Sequence, residues 1–195
     1  DLYRGKRDAD KAIQNLESVN LKAQVAALTA QMNPHLLFNS LNSIASMIHE
    51  NPESAEAMTV ELSNLYRRVL AAVKNDKHSL AAEMGLCKSY LEIEKARFGE
   101  RLKYEIEVGD GVDATATEIP VLCVQPFVEN AVKHGLLSQV AGGKLSIKAR
   151  GEGPSLIITV EDDGVGYGKA PKSKGTGTAI ENCRERLRMM FGDQG

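Results

Sequence analysis

At Gly99 the apolar residues change their spacing, and that change limits the fold more than any other feature of the chain. Before it, apolar residues recur at steps of three and four. Met58, Leu62, Leu65, Val69 and Val73 line one side of a helix, and Leu86, Tyr90, Leu91 and Ile93 belong to another. After it, Leu102, Tyr104, Ile106 and Val108 alternate with Lys103, Glu105 and Glu107, the pattern of a half-buried strand. Two more alternating runs, Leu145 to Arg150 and Leu156 to Glu161, are joined by Gly151-Glu152-Gly153-Pro154 and read as a hairpin. Helices followed by strands predict an α+β fold, with helices gathered on an antiparallel sheet.

The helical part begins with one long run from about residue 8 to residue 50. Leu21, Val25, Leu28 and Met32 follow a 4-3-4 spacing suited to a coiled-coil seam. Asn51-Pro52-Glu53 is a turn, with Pro52 placed to open the next helix. Two antiparallel helices with one apolar stripe each make half of a four-helix bundle, which a second copy would complete. Lys74-Asn75-Asp76-Lys77-His78 is the best polar break, so the expected domains are residues 1–76 and 77–195. Ser79 can cap a helix that runs to about Arg97 and stops at Gly99. A further helix is expected from about Pro120 to Gly135, and a last one up to Phe191.

Twenty-four basic and 26 acidic residues give a net charge of −2, so no nucleic-acid footprint is present. Cys87, Cys123 and Cys183 lack metal-type spacing and read as reduced, packed thiols. No apolar run approaches the roughly 18–20 residues of a membrane span. The chain opens on Asp1 and reads as an excised piece. Tyr3-Arg4-Gly5-Lys6-Arg7 suits either a juxtamembrane basic patch or a solvated helix start.

Four stretches carry polar groups in arrangements that chemistry could use. In Gln31 to Asn42, steps from His35 reach Asn39, Asn42 and Ser46 on one helix face. Leu37, Leu41, Ile44 and Ile48 trace a separate apolar face, about 200° round from His35 at position 37. Pro34 removes the donor to the carbonyl of Ala30, so a bend is expected just before His35. Further on, Asn130, Lys133 and His134 share one face of the Pro120–Gly135 helix, as a phosphate–magnesium site requires and as a plain solvated face would also show. At the end of a strand, Asp162 precedes Gly164 and Gly166, where an acid beside bare backbone can meet an exocyclic amine such as adenine's. Gly175 and Gly177 precede the last helix, whose N-terminus suits phosphate oxygens. Neither a Walker loop nor a Rossmann fingerprint is present.

In this order and spacing, the last three signals resemble the Asn, first-glycine and second-glycine boxes of the GHKL ATPase/kinase superfamily. The chain from about Gln24 to Gly192 resembles the LytS-type sensor histidine kinases. Asn33-Pro34-His35, Phe38 to Asn42, Tyr90 to Glu94 with Arg97-Phe98-Gly99, Gln125 to Ala131 with Lys133-His134-Gly135, and Asn182 to Leu187 carry that resemblance. It implies a dimerisation and phosphotransfer hairpin, four-helix in the dimer, followed by a GHKL (Bergerat) α/β sandwich.

On that resemblance His35 matches the phospho-acceptor, Asn130 the magnesium ligand, Asp162 the adenine-binding acid, and Gly164 and Gly166 the first glycine box. Lys133 and His134 would sit with the phosphates, and Gly175 and Gly177 in the lid. Asn39 would orient the imidazole or a water, and Glu129 would serve as a base. The implied cofactors are ATP and Mg2+. The implied partners are a second copy of the chain and a response regulator of the DNA-binding LytTR type, this chain itself contacting no nucleic acid. The implied location is the cytoplasmic part of a bacterial inner-membrane protein, reaching the membrane only through an N-terminal segment outside this chain. Leu36 stands where a phenylalanine is usual, and Ala179 where the last box has its second glycine. The chain also stops at Gly195, before the closing strands of the sandwich. An ATP-dependent histidine kinase is the expected function. A catalytically impaired nucleotide-binding dimerisation module is the alternative, and an ATPase or serine kinase on the same fold is a third reading.

Overall fold

Asn51 interrupts the first helical run for a single residue in the computed structural model, which describes residues 34–72, 75–136, 141–164, 166 and 176–192. The coiled-coil seam, the basic start and the bend before Pro34 fall outside those residues. By compactness the chain divides into Asp1–Asn39 and Ser40–Gly195. Helix α1 is Pro34–Glu50, its first turns belonging to the first unit. Its covered positions are Leu36 and Ser40, with Ser43, Ile44 and Met47 half-buried, while Leu41 and Ile48 are exposed. Of the expected 37–41–44–48 face, Leu37 and Ile44 are half-buried, and the most covered positions, Leu36 and Ser40, lie one residue round, about 100° on an α-helix. His35, Asn42 and Ser46 are exposed as expected.

In the second unit, the Asn51 side chain accepts from the amide of Ser54 at 3.1 Å and caps helix α2, Pro52–Ala72. Met58, Leu62, Leu65 and Val69 are buried, as their spacing predicts, along helix α3, Leu80–Phe98. The two helices cross closely. A Cβ at Gly85 would lie 2.6 Å from the Arg68 guanidinium. Ser79 caps α3 through its hydroxyl, which accepts from Ala82 N at 3.2 Å, and Gly99 closes it with a φ of 59°. Burial runs almost all round α3, from Leu80 through Leu86, Cys87 and Leu91 to Glu94, so it is the central element of the unit.

Strand β1, Lys77–Ser79, pairs antiparallel with β3, Glu118–Pro120. Pro120 thus ends a short ladder opposite Lys77 and does not open a helix, correcting the start expected there. The main sheet has the order β2–β4–β5, with β2 Leu102–Val108, β4 Gly143–Glu152 and β5 Ser155–Asp162. The β4–β5 hairpin is antiparallel, Glu152 facing Ser155 across Gly153-Pro154. β2 and β4 are parallel, Leu102 facing Gly143 and Val108 facing Ala149. The sheet is therefore mixed, not antiparallel throughout. A parallel pair needs a crossover connection, here between Val108 and Gly143. That crossover holds helix α4, Gln125–Asn130, which passes directly into a π-helical turn, Ala131–Leu136. Val128 and Val132 are fully buried from this segment, and Leu102, Leu145, Ile147 and Ala149 from the sheet. Helix α5 is Thr176–Phe191.

Candidate functional site

His35 stands exposed in the first turn of α1, and Asn39 follows it by four residues. That spacing places the two side chains one above the other. The Asn39 amide nitrogen lies 2.9 Å from His35 Nδ1 and 3.2 Å from Nε2. The contact with Nδ1 is the shorter, and either end of the amide can face the ring, because oxygen and nitrogen are assigned from the network. With the oxygen turned in, Nδ1–H can donate to Asn39, which leaves Nε2 as the unprotonated nitrogen whose lone pair is competent for nucleophilic attack.

In the other unit, α4 ends at Asn130, and the wider π turn carries Lys133 and His134. The expectation of one continuous α-helical face through Asn130, Lys133 and His134 is therefore corrected. The i→i+5 bonding changes the angular spacing beyond Asn130. Such single π turns occur often at functional sites. Asn130 is half-buried and Lys133 exposed. Just before Asn130, the Glu129 Oε1 accepts from Gln125 Nε2 at 3.1 Å. Around Glu129 the fold gathers further polar groups. Burial, reinforced by Glu129, raises the Tyr66 hydroxyl's pKa. Tyr90 is pushed well up by burial, then by Glu94 and Glu129. Glu94 is lifted by burial although Arg97 donates to it at 2.7 Å. Both tyrosine hydroxyls therefore stay protonated.

Asp162 ends β5, and its Oδ1 accepts from the amide of Gly164 at 2.9 Å. The acid thereby fixes the turn into the glycine stretch. Gly166 has a φ of 82°, a conformation that side chains rarely adopt. β5 packs beside the π turn, so the strand that ends in Asp162 neighbours the segment that holds Lys133. Gly177 lies in the first turn of α5, while Gly175 lies outside the described residues. His35 and Asn39 belong to the other compact unit.

Two residues with long-range bonds were not among those expected at a site. Glu83, in the first turn of α3, is fully buried and takes backbone amides from residues 122–125. In the sequence it looks like an ordinary acid favoured by the helix dipole. Arg186, inside the Asn182–Leu187 stretch, donates to the carbonyl of Val121 at 2.7 Å. Arginines recur every few residues in that helix, and spacing does not single this one out.

The histidine kinase family model matches residues 23–102. The sensor histidine kinase BtsS of Escherichia coli (strain K12) is 36% identical over 172 residues, 88% of this chain and 30% of its own length. Sensor protein LytS of Staphylococcus saprophyticus is 33% identical over 182 residues, 87% of this chain and 30% of its own. The sensor histidine kinase/phosphatase LytS of Staphylococcus aureus (strain Mu50) is 32% identical over 181 residues, with 87% and 31% covered. The chain spans less than a third of the length of these curated relatives. Over the region they share, it belongs to the LytS-type sensor histidine kinases.

Proposed function

We propose that the chain is the kinase core of a two-component sensor, which phosphorylates His35 from ATP and passes the phosphoryl group to an aspartate of a response regulator. The observation that carries this reading is the exposed His35 ring held by Asn39 one helical turn on. With Nδ1–H donated to the Asn39 oxygen, the Nε2 lone pair forms the N–P bond to the γ-phosphorus. The bond from phosphorus to the β–γ bridging oxygen breaks, and ADP leaves with that electron pair. In-line placement and charge neutralisation supply most of the rate in such transfers.

Residues of the second unit fit the nucleotide. Asn130, half-buried at the end of α4, would give one oxygen to Mg2+, which keeps most of its ligands as water and phosphate oxygen. The metal would neutralise charge developing between the β- and γ-phosphates. Lys133 is exposed and long enough to meet phosphate, and His134 follows it in the same π turn. Asp162, fixed by Gly164, would accept from the adenine amine beside the bare backbone of Gly164 and Gly166. Gly175 and Gly177 would leave room for phosphates at the start of α5. Glu129, which accepts from Gln125, would serve as a base at this nucleotide site.

In this reading residues 1–76 provide dimerisation and phosphotransfer and residues 77–195 nucleotide binding. The partners are a second copy and a DNA-binding regulator of the LytTR type. The membrane is reached through a segment outside this chain. Among the described residues no helix is long and apolar enough to cross a membrane.

Incubation with labelled ATP and Mg2+ tests the proposal. Wild type gains acid-labile phosphate, His35→Gln gains none, and Asn39→Ala gains it about tenfold more slowly, the rate equivalent of one modest hydrogen bond. Label on His35→Gln at the wild-type level would remove His35 as acceptor. ATP binding without any transfer by wild type would instead support the impaired nucleotide-binding module.

A further inference from the structure

The five residues from Val121 to Gln125 lead into the Asn130 helix, and they are held from two sides by elements remote in sequence. From α3, Glu83 Oε1 accepts from Val124 N at 2.8 Å and Gln125 N at 3.0 Å, while Oε2 accepts from Leu122 N at 3.0 Å. His78 Nε2 lies 2.6 Å from the same Oε2. A carboxylate only accepts, so that ring nitrogen carries the proton. The first residue before α4, Val124, offers no side-chain cap, and α4 has no acid in its first turn. Glu83 therefore does for α4, from some forty residues upstream, what a local cap does elsewhere. From α5, Arg186 donates to the carbonyl of Val121 at 2.7 Å, and the Cys183 thiol to the carbonyl of Cys123 at 3.5 Å.

The amides of Leu122, Val124 and Gln125 thus go to α3 and the carbonyls of Val121 and Cys123 to α5, while the Val121 amide donates to the carbonyl of Asp76 at 3.2 Å. Between them Leu122 is held at a φ of 55°, a conformation that favours glycine, with its amide fixed by Glu83. Such strain persists only where the surroundings impose it. A simple loop would need neither bond to stay on the surface, whereas a helix whose last residue must meet a cation needs its start fixed in place.

We propose that Glu83 and Arg186 are positioning residues that clamp residues 121–125, so that the seating of α5 sets the position of Asn130 for magnesium–nucleotide binding. This rests on the nucleotide reading above. Gly177, one of the glycines assigned to the phosphates, lies in the first turn of α5, so the clamp links that helix to the magnesium ligand through Arg186. Neither residue touches the nucleotide.

The test is calorimetric titration of the full chain with ADP, in Mg2+ and in EDTA, on wild type, Arg186→Met, Arg186→Lys, Glu83→Gln and Asn130→Ala. Arg186→Met and Glu83→Gln are expected to weaken Mg–ADP binding about tenfold, the worth of one charge-assisted hydrogen bond, and to change ADP binding in EDTA less than about twofold. Arg186→Lys, which keeps one N–H donor to Val121 O, restores most of the loss. Backbone exchange at Val124 and Gln125 quickens in Arg186→Met, although Arg186 bonds neither amide. A merely structural role would lower both ADP affinities together and leave lysine no better than methionine.

Equal Mg–ADP affinity in wild type and Arg186→Met, with the magnesium effect lost in Asn130→Ala, overturns the clamp and leaves the nucleotide reading standing. An Asn130→Ala chain that keeps the magnesium effect overturns that reading, and the clamp's function with it. If Arg186→Met loses its circular dichroism signal, Arg186→Leu, which likewise offers no N–H donor to the Val121 carbonyl, carries the same comparison.

Discussion

Glu94 shows how a buried acid in this fold can be tested by pH alone. It is 3% exposed, and one of its oxygens, Oε2, has no hydrogen-bond partner among the described residues. Burial lifts its pKa above the ordinary 4.5, and Arg97 pulls it only part of the way back. The folded state therefore holds that proton more tightly than the unfolded chain. Its contribution to stability is complete below the unfolded pKa and is lost as pH rises through the folded one. Glu94→Gln cannot titrate. Wild-type stability relative to this variant is expected to fall as pH rises from about 4 towards 7, read from urea midpoints. A difference that stays level across that range would show that the Glu94 environment is not as dry as its burial indicates. The cysteines follow the same logic in the direction the sequence foresaw. Burial pushes the Cys87 thiol well up and raises Cys123 and Cys183 too, so all three are protonated packing groups.

Two glycines separate local strain from a clash between elements. Gly111 has a φ of 87° and open space where a Cβ would go, whereas Gly142 has a φ of 73° and a Cβ there would lie 2.0 Å from the carbonyl of Arg101. Gly111→Ala is expected to cost roughly 1–2 kcal/mol, the price of a left-handed residue. Gly142→Ala costs more than that in chemical denaturation, because the main chain just before the Leu102–Gly143 pair must also move apart. Equal costs at both positions would mean that Arg101 gives way easily. Caps and periods at this scale were legible. Ser79, Asn51, Gly99 and the three strands stand where local chemistry puts them. The parallel pairing of β2 with β4 was not, since only the hairpin's turn is written locally and the partner of β2 is chosen by a crossover of more than thirty residues. Pro120 misled for the same reason. Its preference for a helix start gave way to pairing with Lys77, more than forty residues away. The π turn after Asn130 also carries no local signature.

For the molecule as a whole, the candidate site was legible residue by residue but its supports were not. His35 with Asn39, and Asp162 with Gly164, lie close in sequence, so spacing alone could pair them. Glu83 and Arg186 act across separations that no periodicity records. The same limit applies to the first helix, where the apolar positions outnumber those that one chain covers. Phe38 is 65% exposed, Leu41 49% and Ile48 50%, spaced to share one side of α1. An apolar stripe of that kind beside His35, the proposed phospho-acceptor, fits coverage by a second copy, as the proposed four-helix assembly requires. In a two-fold dimer each substitution counts twice. Leu41→Glu or Ile48→Glu is therefore expected to weaken self-association roughly a hundredfold, a tenfold loss of about 1.4 kcal/mol for each copy. Sedimentation equilibrium reads the constant, and each variant's helical signal is expected to stay near wild type because both positions face solvent in the single chain. Val60→Glu, exposed on α2 at 52%, extends the measurement to the second helix of the hairpin. Loss of association from α1 substitutions alone would place the mating surface on α1, and loss from both would place it across the hairpin. Unchanged association in all three would leave the stripe without a role in dimerisation and remove the bundle from the proposed function.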